Sequence, residues 1–334
     1  MVSKKSVAIV GAGIAGLTTA YFLAKKDYKI TVFDPEGIAT QCSYANGGQL
    51  SVCNAETWNT YSNLIKGIKW MSKNDAPLAF RNDIWSWDKF RWVVGFVGAT
   101  ITNSYDYNTR KTIEWSLRSR RLYKKLIKEL NIDFHQKDCG ILHIYKNEKS
   151  WYKAQKTLER FKDTGWGRVV KKGNLLKYKI KTKEIVGATF TKGDSVGDIH
   201  TFCKELSNYL YNNYDYRIHV NKIVANKEVK YLSGKRDHAR TLHELKEQYD
   251  EVIICAGAYT SVLLPSLNIY PIKGYSITFR GAEAEDAPFT SILDDDAKIV
   301  ASPFTNLTFR VAGTAELADW NHDIKEDRIK PLVD

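Results

Sequence analysis

The stretch from Ser6 to Pro35, SVAIVGAGIAGLTTAYFLAKKDYKITVFDP, constrains the fold of this chain more than any other. The apolar, β-branched run Val7 to Val10 predicts a buried parallel strand. It leads into glycines with G-x-G-x-x-G spacing and then into a helical pattern over Ala15 to Lys25. A second short apolar strand, Ile30 to Phe33, ends at an acidic residue. This order of elements predicts a strand–turn–helix–strand unit that binds a dinucleotide.

Each glycine of the turn has its own physical role. Gly11 permits the tight turn, Gly13 lets the backbone approach a pyrophosphate, and Gly16 lets the helix pack closely on the strand. The first amides of the helix offer N–H groups and partial positive charge to the phosphates. Asp34 follows Gly11 by 23 residues and can accept hydrogen bonds from ribose hydroxyls, which favours FAD or NAD over NADP. The unit alone does not separate FAD from NAD, and a purely structural glycine turn is the alternative.

Composition and charge indicate a soluble enzyme with one large α/β domain or two interleaved domains. The chain has 334 residues and a formal net charge of +12. Because no nucleic-acid-binding module accompanies the basic residues, we expect solvated basic helix faces and no nucleic-acid partner. A modest attraction to anionic lipid head groups is the alternative.

Cysteine usage and hydropathy bear on the compartment. The five cysteines include no C-x-x-C pair, which favours a reducing compartment and argues against a disulfide framework or a metal site. The first apolar run is too short for a secretory signal, and Trp92 to Ile101 is too short to cross a bilayer. The sequence therefore predicts a cytoplasmic protein, or one attached peripherally to the cytoplasmic face of the inner membrane.

Further along the chain, periodicity predicts helices over Thr109 to Leu130 and Ser150 to Asp163. Arg217 to Val224 follows a strand pattern, and the second informative apolar strand, Tyr249 to Ala258, ends in small residues. Alternating segments predict a second, antiparallel sheet. These segments are Gly140 to Tyr145, Gly274 to Arg280, Lys298 to Ser302 and Leu307 to Ala312.

Three other features have two interpretations each. Pro35 to Ser51 reads as an ordinary surface loop or, through the glycine pair Gly47 and Gly48, as backbone lying against a flat ligand. Packing in the core or at a domain interface is favoured over a membrane anchor for the aromatic cluster of Trp85, Trp87, Phe90 and Trp92. His143 is interpreted as a packed or solvated strand histidine rather than a ligand.

Six segments occur in an order that points to one family: SVAIVGAGIAG, CSYANGGQLS, GIKWMSKNDAPLAFR, GDSVGD, VIICAGAYTSVLL and YPIKGYSITF. Together they resemble the FAD-dependent D-amino-acid dehydrogenases (small subunit) of the glycine/D-amino-acid oxidase (DAO) superfamily. The likeness runs from the start of the chain to about Asp319. The NGGQLS loop and the KWM…APLAFR segment are its most specific parts, since they separate this family from sarcosine and glycine oxidases.

The resemblance implies FAD as the cofactor and an α/β fold in which a Rossmann-type FAD-binding domain is interleaved with an antiparallel-sheet substrate domain. It implies a discontinuous FAD domain of residues 1–80 and 193–265. The substrate domain is then 81–192 with 266–320, followed by a tail, 321–334. The implied pyrophosphate contacts are Gly11, Gly13, Ile14, Ala15 and Gly16, and the implied ribose contact is Asp34. The implied contacts along the flavin are Ser43, Tyr44, Ala45, Asn46, Gly47, Gly48 and Gln49. The resemblance further implies Val224 at the adenine, Ala256, Gly257 and Ala258 over the cofactor, and the neighbouring Val10, Ala12, Pro35 and Leu50.

The implied reaction is the oxidation of a D-amino acid such as D-alanine to a 2-oxo acid and ammonium. The Cα hydrogen passes to FAD as hydride, and the electrons pass to a membrane quinone or another respiratory acceptor. Tyr44, Gln49 and Tyr275 are candidates to face the flavin, and Tyr275 is either a substrate ligand or a sheet aromatic. Arg310 is either a carboxylate ligand or a surface ion-pair partner.

Family members continue with a glycine-rich segment that carries a substrate arginine in a G-(L/F)-R-P-type motif. This sequence stops at Asp334, so we expect a product truncated relative to the family. The alternatives to a D-amino-acid dehydrogenase are therefore a catalytically inactive FAD-binding remnant or a glycine/sarcosine-type oxidase.

Overall fold

The computed structural model describes residues 4–70, 78–80, 86–171, 184–225, 239–281, 288–305 and 307–333. Two compact units are formed. The first comprises Met1–Asn46, Ile132–Phe134 and Ile199–Pro271, and the second comprises Gly47–Asn131, His135–Asp198 and Ile272–Asp334. The first segment of the first unit therefore ends at Asn46, whereas the first segment of the FAD domain was expected to end at residue 80. The functional assignment of the domains stays a prediction.

Strands and helices are interspersed along the described part of the chain. The strands are β1 (Ser6–Val10), β2 (Lys29–Phe33), β3 (Gln49–Leu50), β4 (Leu78–Phe80), β5 (Ile141–Tyr145), β6 (Arg168–Val170), β7 (Gly187–Thr191), β8 (Ser195–Val196), β9 (Tyr216–His219), β10 (Lys222–Val224), β11 (Ala239–Thr241), β12 (Glu251–Ile254), β13 (Lys273–Arg280), β14 (Ser291–Asp294), β15 (Ile299–Thr305) and β16 (Thr308–Leu317). The helices are α1 (Ile14–Ala24), α2 (Tyr61–Trp70), α3 (Trp87–Ile101), α4 (Tyr105–Leu130), α5 (Glu148–Arg160), α6 (Ile199–Asn213), α7 (Leu242–Gln248), α8 (Thr260–Leu263) and α9 (Glu326–Val333).

The first unit is built on a parallel sheet with strand order β12-β1-β2-β9. The central strand β1 is buried from Val7 to Val10, as its apolar run predicts. Helix α1 begins after Gly13 and buries residues that recur with helical period, among them Leu17 and Tyr21. Full burial of one such side chain contributes about 1.5–3 kcal/mol. The predicted strand–turn–helix–strand unit is confirmed.

The second unit contains a larger sheet with strand order β13-β16-β15-β14-β5-β7-β6, and β4 pairs with β16. The prediction of an antiparallel sheet is correct for most pairs and wrong for two, because β14–β5 and β16–β4 are parallel. The reason is that alternation of apolar and polar residues fixes which face a strand buries. It carries no information on the direction of a neighbour that is distant in sequence.

Two predicted strands are shorter in the structure. The apolar run that begins at Tyr249 ends as a strand at Ile254, and Gly257–Tyr259 form a 3₁₀ turn in which Gly257 has a φ of +56°. The strand predicted over Arg217 to Val224 is two strands, β9 and β10, separated by a turn in which the Asn221 amide donates to the His219 carbonyl at 3.0 Å.

The predicted packing of the aromatic cluster is wrong for two of its members. Trp87 is 67% exposed and Phe90 is 40% exposed, and their rings stack on each other with centroids 5.3 Å apart. Trp92 is half-buried and stacks on Phe96. Trp85 lies outside the described residues, as do 71–77 and 81–85 of the KWM…APLAFR segment. Among the described helices, none combines the length and apolar character needed to cross a bilayer.

A buried polar cluster lies in the second unit on β5 and β6. The Nδ1 of His143 lies 2.9 Å from Asp295 Oδ2, and its Nε2 lies 3.2 Å from the sulfur of Cys53. Arg168 forms an ion pair with the same Asp295 carboxylate at 3.3 Å. His143 is 2% exposed, which confirms a packed strand histidine. Sequence could not have grouped these residues, because they lie on separate elements far apart in the chain.

Burial decides the charge states in this cluster. Burial and then the Arg168 guanidinium lower the pKa of His143 to about 4. Burial raises the pKa of the Cys53 thiol well above its ordinary value. At neutral pH both groups are therefore uncharged, and Cys53 is not a thiolate nucleophile.

The lowered pKa of His143 should make the folded state less stable in acid. Its folded pKa of about 4 lies below its ordinary 6.5, so the unfolded chain binds more protons between these values. We expect the contribution of His143 to the free energy of unfolding to be fully present above pH 6.5. The free energy of unfolding should fall by about 2–3 kcal/mol from pH 7.5 to 4.5 as this contribution is lost. Urea unfolding at several pH values measures this. His143→Gln should flatten the dependence, and the exposed control His243→Gln should keep it; equal pH dependence in both variants would contradict the assignment.

Candidate functional site

The glycine turn of the first unit is fixed by neighbouring backbone at two of its three positions. The Gly11 amide donates to the Phe33 carbonyl at 2.8 Å, and Gly11 has a φ of +110°. A Cβ at Gly11 would lie 2.4 Å from the Cys255 carbonyl oxygen, and a Cβ at Gly16 would lie 1.9 Å from the Gly11 oxygen. Both glycines are therefore required by the protein's own packing.

Gly13 differs from the other two glycines. A Cβ at Gly13 would meet only the Ser43 hydroxyl, at 3.1 Å, among the neighbouring atoms. The next residues, Ile14 and Ala15, are exposed at the start of α1. The space in front of the helix N-terminus is thus open, and its N–H groups and partial positive charge suit a pyrophosphate. The cradle fits the phosphates of a dinucleotide.

The predicted loop after β2 lies at this helix end. The Ile14 amide donates to Ser43 Oγ at 3.0 Å. The side chain of Asn46 donates to the carbonyl oxygens of Cys42 and Ser43 at 3.1 and 3.0 Å, which fixes the turn. Tyr44 is 51% exposed, and its ring packs edge-to-face on the ring of His200. The loop is therefore held by its own hydrogen bonds next to the cradle.

Asp34 stands beside the glycine turn at the end of β2. Its Oδ2 accepts from the Ala12 amide at 2.8 Å, and its Oδ1 accepts from the amides of Glu36 and Gly37 at 3.0 and 3.1 Å. A carboxylate has about four acceptor positions, so these three bonds fix its orientation and leave capacity for a hydroxyl group. The geometry is compatible with the predicted ribose contact, which stays a prediction.

The small residues after β12 reach the same turn. The Cys255 amide donates to the Val10 carbonyl at 2.7 Å, which places Ala256, Gly257 and Ala258 next to the glycine turn. Gly257 is exposed, and a Cβ there would meet nothing within 4 Å. Val224 is 2% exposed at the end of β10, and its adenine contact stays a prediction.

The remaining loop residues belong to the second unit, where the packing of Phe304 requires glycine at position 48. The φ of Gly48 is +67°, and a Cβ would lie 2.2 Å from the Phe304 ring. Gln49 is held at both ends of its amide: Nε2 donates to Ser291 Oγ at 2.7 Å, and Oε1 accepts from Asn54 at 2.8 Å. The flavin contacts of Gly47, Gly48, Gln49 and Leu50 stay predictions.

The GDSVGD segment supports this loop. Strand β3 pairs with β8, so Gln49 lies opposite Val196. The fully buried Asp194 accepts from the backbone amides of Val52 and Cys53 at 3.0 and 2.9 Å, and Arg120 lies 3.2 Å from the same carboxylate. Two segments that are distant in sequence therefore form one hydrogen-bonded support for residues 49–53.

Tyr275 makes a partly buried hydrogen bond. Its hydroxyl donates to Glu316 Oε2 at 2.9 Å, and Lys273 Nζ lies 3.0 Å from the same oxygen. Glu316 is fully buried. Burial and the Glu316 carboxylate raise the pKa of Tyr275, so its phenol is neutral at physiological pH. Because the phenol proton is donated to Glu316 and Lys273 also hydrogen-bonds the Tyr275 hydroxyl, the oxygen can offer a ligand only its remaining acceptor position.

Arg310 is buried, which corrects the alternative of a surface ion-pair partner. It is 7% exposed, its Nε donates to Thr278 Oγ1 at 2.9 Å, and its guanidinium lies 5.0 Å from the Phe304 ring centroid. The sheet register explains this position, because Arg310 faces Thr278 on the neighbouring strand β13. Its predicted role as a carboxylate ligand stays a prediction.

Gly13 and Gly16 predict a contrast between cofactor binding and folding. Gly13→Val should keep the fold and abolish FAD binding, because the side chain would fill the open cradle. Gly16→Ala should lower the free energy of unfolding by more than about 2 kcal/mol, since its Cβ meets backbone. FAD titration and thermal unfolding of both variants measure these effects. Stoichiometric FAD in folded Gly13→Val would contradict the assignment of the cradle.

Comparison with known proteins now identifies the family. The family model described as DAO, FAD dependent oxidoreductase, matches residues 6–334. A protein named D-amino acid dehydrogenase 3 from Mesorhizobium japonicum is 37% identical over 98% of this chain and 81% of its own length. A D-amino acid dehydrogenase from Dechloromonas aromatica is 30% identical over 98% of this chain and 81% of its own length.

Solved structures show the same fold. Glycine oxidase from Geobacillus kaustophilus superposes with a TM-score of 0.65 at 15% identity, covering 99% of this chain and 77% of that one. L-proline dehydrogenase from P. horikoshii superposes with a TM-score of 0.63 at 12% identity, covering 100% and 76%. The family match over nearly the whole chain and the phosphate cradle at α1 lead to one conclusion: this protein belongs to the DAO family of FAD-dependent oxidoreductases.

Proposed function

We propose that this protein oxidises D-amino acids, D-alanine among them, to imino acids, which water then hydrolyses to 2-oxo acids and ammonium. The electrons then pass to a membrane quinone or another respiratory acceptor, which the protein meets at the cytoplasmic face of the membrane. The observation that carries the proposal is the open cradle in front of Gly13, in a chain 37% identical to a relative named D-amino acid dehydrogenase 3. When bound, FAD supplies the redox chemistry by accepting a hydride from the substrate Cα.

In this proposal the first unit holds the cofactor. The amides at the start of α1 bind the pyrophosphate, and Asp34 accepts from the ribose. Ser43 accepts from the Ile14 amide, so its hydroxyl proton is available to a phosphate oxygen. Each of these groups is already oriented by the protein's own hydrogen bonds, so little ordering is required on binding.

Tyr275 is proposed to orient the substrate amine. Its oxygen can only accept, so it fits an amine N–H and does not fit a carboxylate. A phenol with a raised pKa is a poor base at neutral pH, so Tyr275 orients the amine rather than removing its proton. Arg310 is the proposed carboxylate ligand, since a guanidinium can pair with a carboxylate through two parallel hydrogen bonds.

Gln49 is proposed as a positioning residue. Both ends of its amide are bound, to Ser291 and Asn54, so the side chain fixes the loop rather than reaching for a ligand. Ser291 is itself fully buried and lies 2.9 Å from the Ser302 hydroxyl. The side chain of Gln49 therefore ties the loop to β14 and β15.

The visible absorption spectrum under anaerobic conditions tests the proposed oxidation. We expect the purified protein to show a flavin spectrum that D-alanine bleaches and L-alanine leaves unchanged, because Cα oxidation reduces the flavin. Bleaching by glycine or sarcosine but not by D-alanine would replace the proposed substrate. A protein that binds FAD and is bleached by none of these compounds would contradict the proposed activity.

Tyr275→Phe tests the proposed contact with the amine. Loss of one hydrogen bond to a charged or polar group should raise the KM for D-alanine about tenfold with little change in kcat. The matched control is Tyr152→Phe on the surface of α5, where the tyrosine is 58% exposed; we expect no effect there. Steady-state kinetics give both constants, and an unchanged KM in Tyr275→Phe would exclude the contact.

A further inference from the structure

The outer face of α4 carries large apolar side chains in contact with solvent. Tyr107 is 67% exposed, Trp115 is 71% exposed and Leu122 is 44% exposed. They recur at intervals of eight and seven residues along a helix of 26 residues, about 39 Å long, so they share one side of it. The opposite side, with Thr109 and Ile113, is buried. The exposed stripe is therefore additional to the face that packs on the core.

Basic residues alternate with these apolar side chains on the same face. Lys111, Arg118 and Lys125 are exposed and lie between or next to them at helical spacing. Glu114 and Glu129 also lie on this side, and Glu114 pairs with Lys111 at 3.0 Å. The whole helix has eight Lys and Arg and three Asp and Glu, a net charge of +5 within the +12 of the chain.

Trp58 adds to the apolar surface of α4. An open groove of about 430 Å³ is lined by Trp58, Phe96 and Trp115 among others. Helix α3 contributes Phe96 to this groove, whereas its exposed Trp87, Phe90, Val94 and Ile101 lie by helical spacing on the other side of that helix. We call the exposed residues of α4, with Trp58, the outer helical face.

We propose that the outer helical face binds the surface of a bilayer containing anionic lipids. Trp and Tyr favour the level of the lipid head groups, and Lys and Arg are attracted to the negative surface. A face that interleaves the two kinds of side chain therefore matches this interface. A second copy of the chain fits less well, because the centres of protein interfaces are depleted of charged residues, and on α4 a cation lies three or four residues after each exposed apolar residue.

Binding of the outer helical face to lipid needs no flavin chemistry. Binding to lipid is measured without turnover, so its failure leaves the proposed oxidation standing, and failure of the oxidation leaves the lipid surface standing. If both hold, the outer helical face is where the protein meets the membrane that carries its electron acceptor.

Co-sedimentation of the full chain with vesicles tests the proposal. We expect binding to vesicles of phosphatidylglycerol mixed with phosphatidylcholine, and little binding to phosphatidylcholine alone. Raising the salt from about 0.1 to 1 M should weaken the binding, because the Debye length falls from about 10 to 3 Å. The double variant Trp115→Ser/Lys111→Gln should bind anionic vesicles about tenfold more weakly.

The matched control is Tyr211→Ser/Lys204→Gln on the surface of α6, where Tyr211 is 73% exposed. It should bind as the unchanged protein does, and circular dichroism should show both variants folded. Equal loss in both variants, equal binding to neutral and anionic vesicles, or absence of binding would overturn the proposal. So would a dimer by light scattering that only Trp115→Ser/Lys111→Gln dissociates, since the face would then join two copies.

Discussion

The close approach of α1 to the glycine turn is the constraint on which the first unit depends. A side chain at Gly16 would lie 1.9 Å from the Gly11 oxygen, so the helix can lie on the turn only because residue 16 has no Cβ. That contact fixes where the helix begins and where its N-terminal N–H groups point. The hydrogen bonds of Gly11 to Phe33 and of Cys255 to Val10 then bind three parallel strands to the same turn. The open space at Gly13 follows from this arrangement, and it is the part of the unit that a pyrophosphate can occupy.

The second unit uses buried charge to fix irregular backbone. Asp194 is fully buried and accepts from two consecutive amides, with Arg120 beside it. Removing one partner of such a buried pair typically costs about 3–5 kcal/mol, so the loop it holds is strongly restrained. Glu316 does the same for Tyr275, since the carboxylate fixes the direction of the phenol proton. Asp194 thus supports the loop that carries Gln49, and Glu316 orients Tyr275 itself. Gln49 and Tyr275 both have proposed functional roles.

Local sequence predicted the parts of the fold that depend on local pattern. The β1–α1–β2 unit follows from an apolar run, three glycines and a helical period, and the structure reproduces it with bounds shifted by a residue. Sequence could not predict that β14 and β5 run parallel or that Asp194 reaches Val52, because both depend on contacts between residues more than 100 positions apart. The double glycine shows a further limit: Gly48 is explained by Phe304, a residue that local pattern cannot place there. The exposure of Trp87 was missed for a related reason, since aromatic composition does not tell a surface from a core.

Hydrogen–deuterium exchange with and without FAD tests the central claim, that the cofactor's pyrophosphate lies at the N-terminus of α1. The first amides of a helix lack intrahelical partners and exchange quickly unless a ligand covers them. We expect FAD to slow exchange in peptides covering 11–16 and 43–46 and to leave the outer helical face unchanged. Slowed exchange elsewhere, with no change in 11–16, would place the cofactor at a different site and contradict this account.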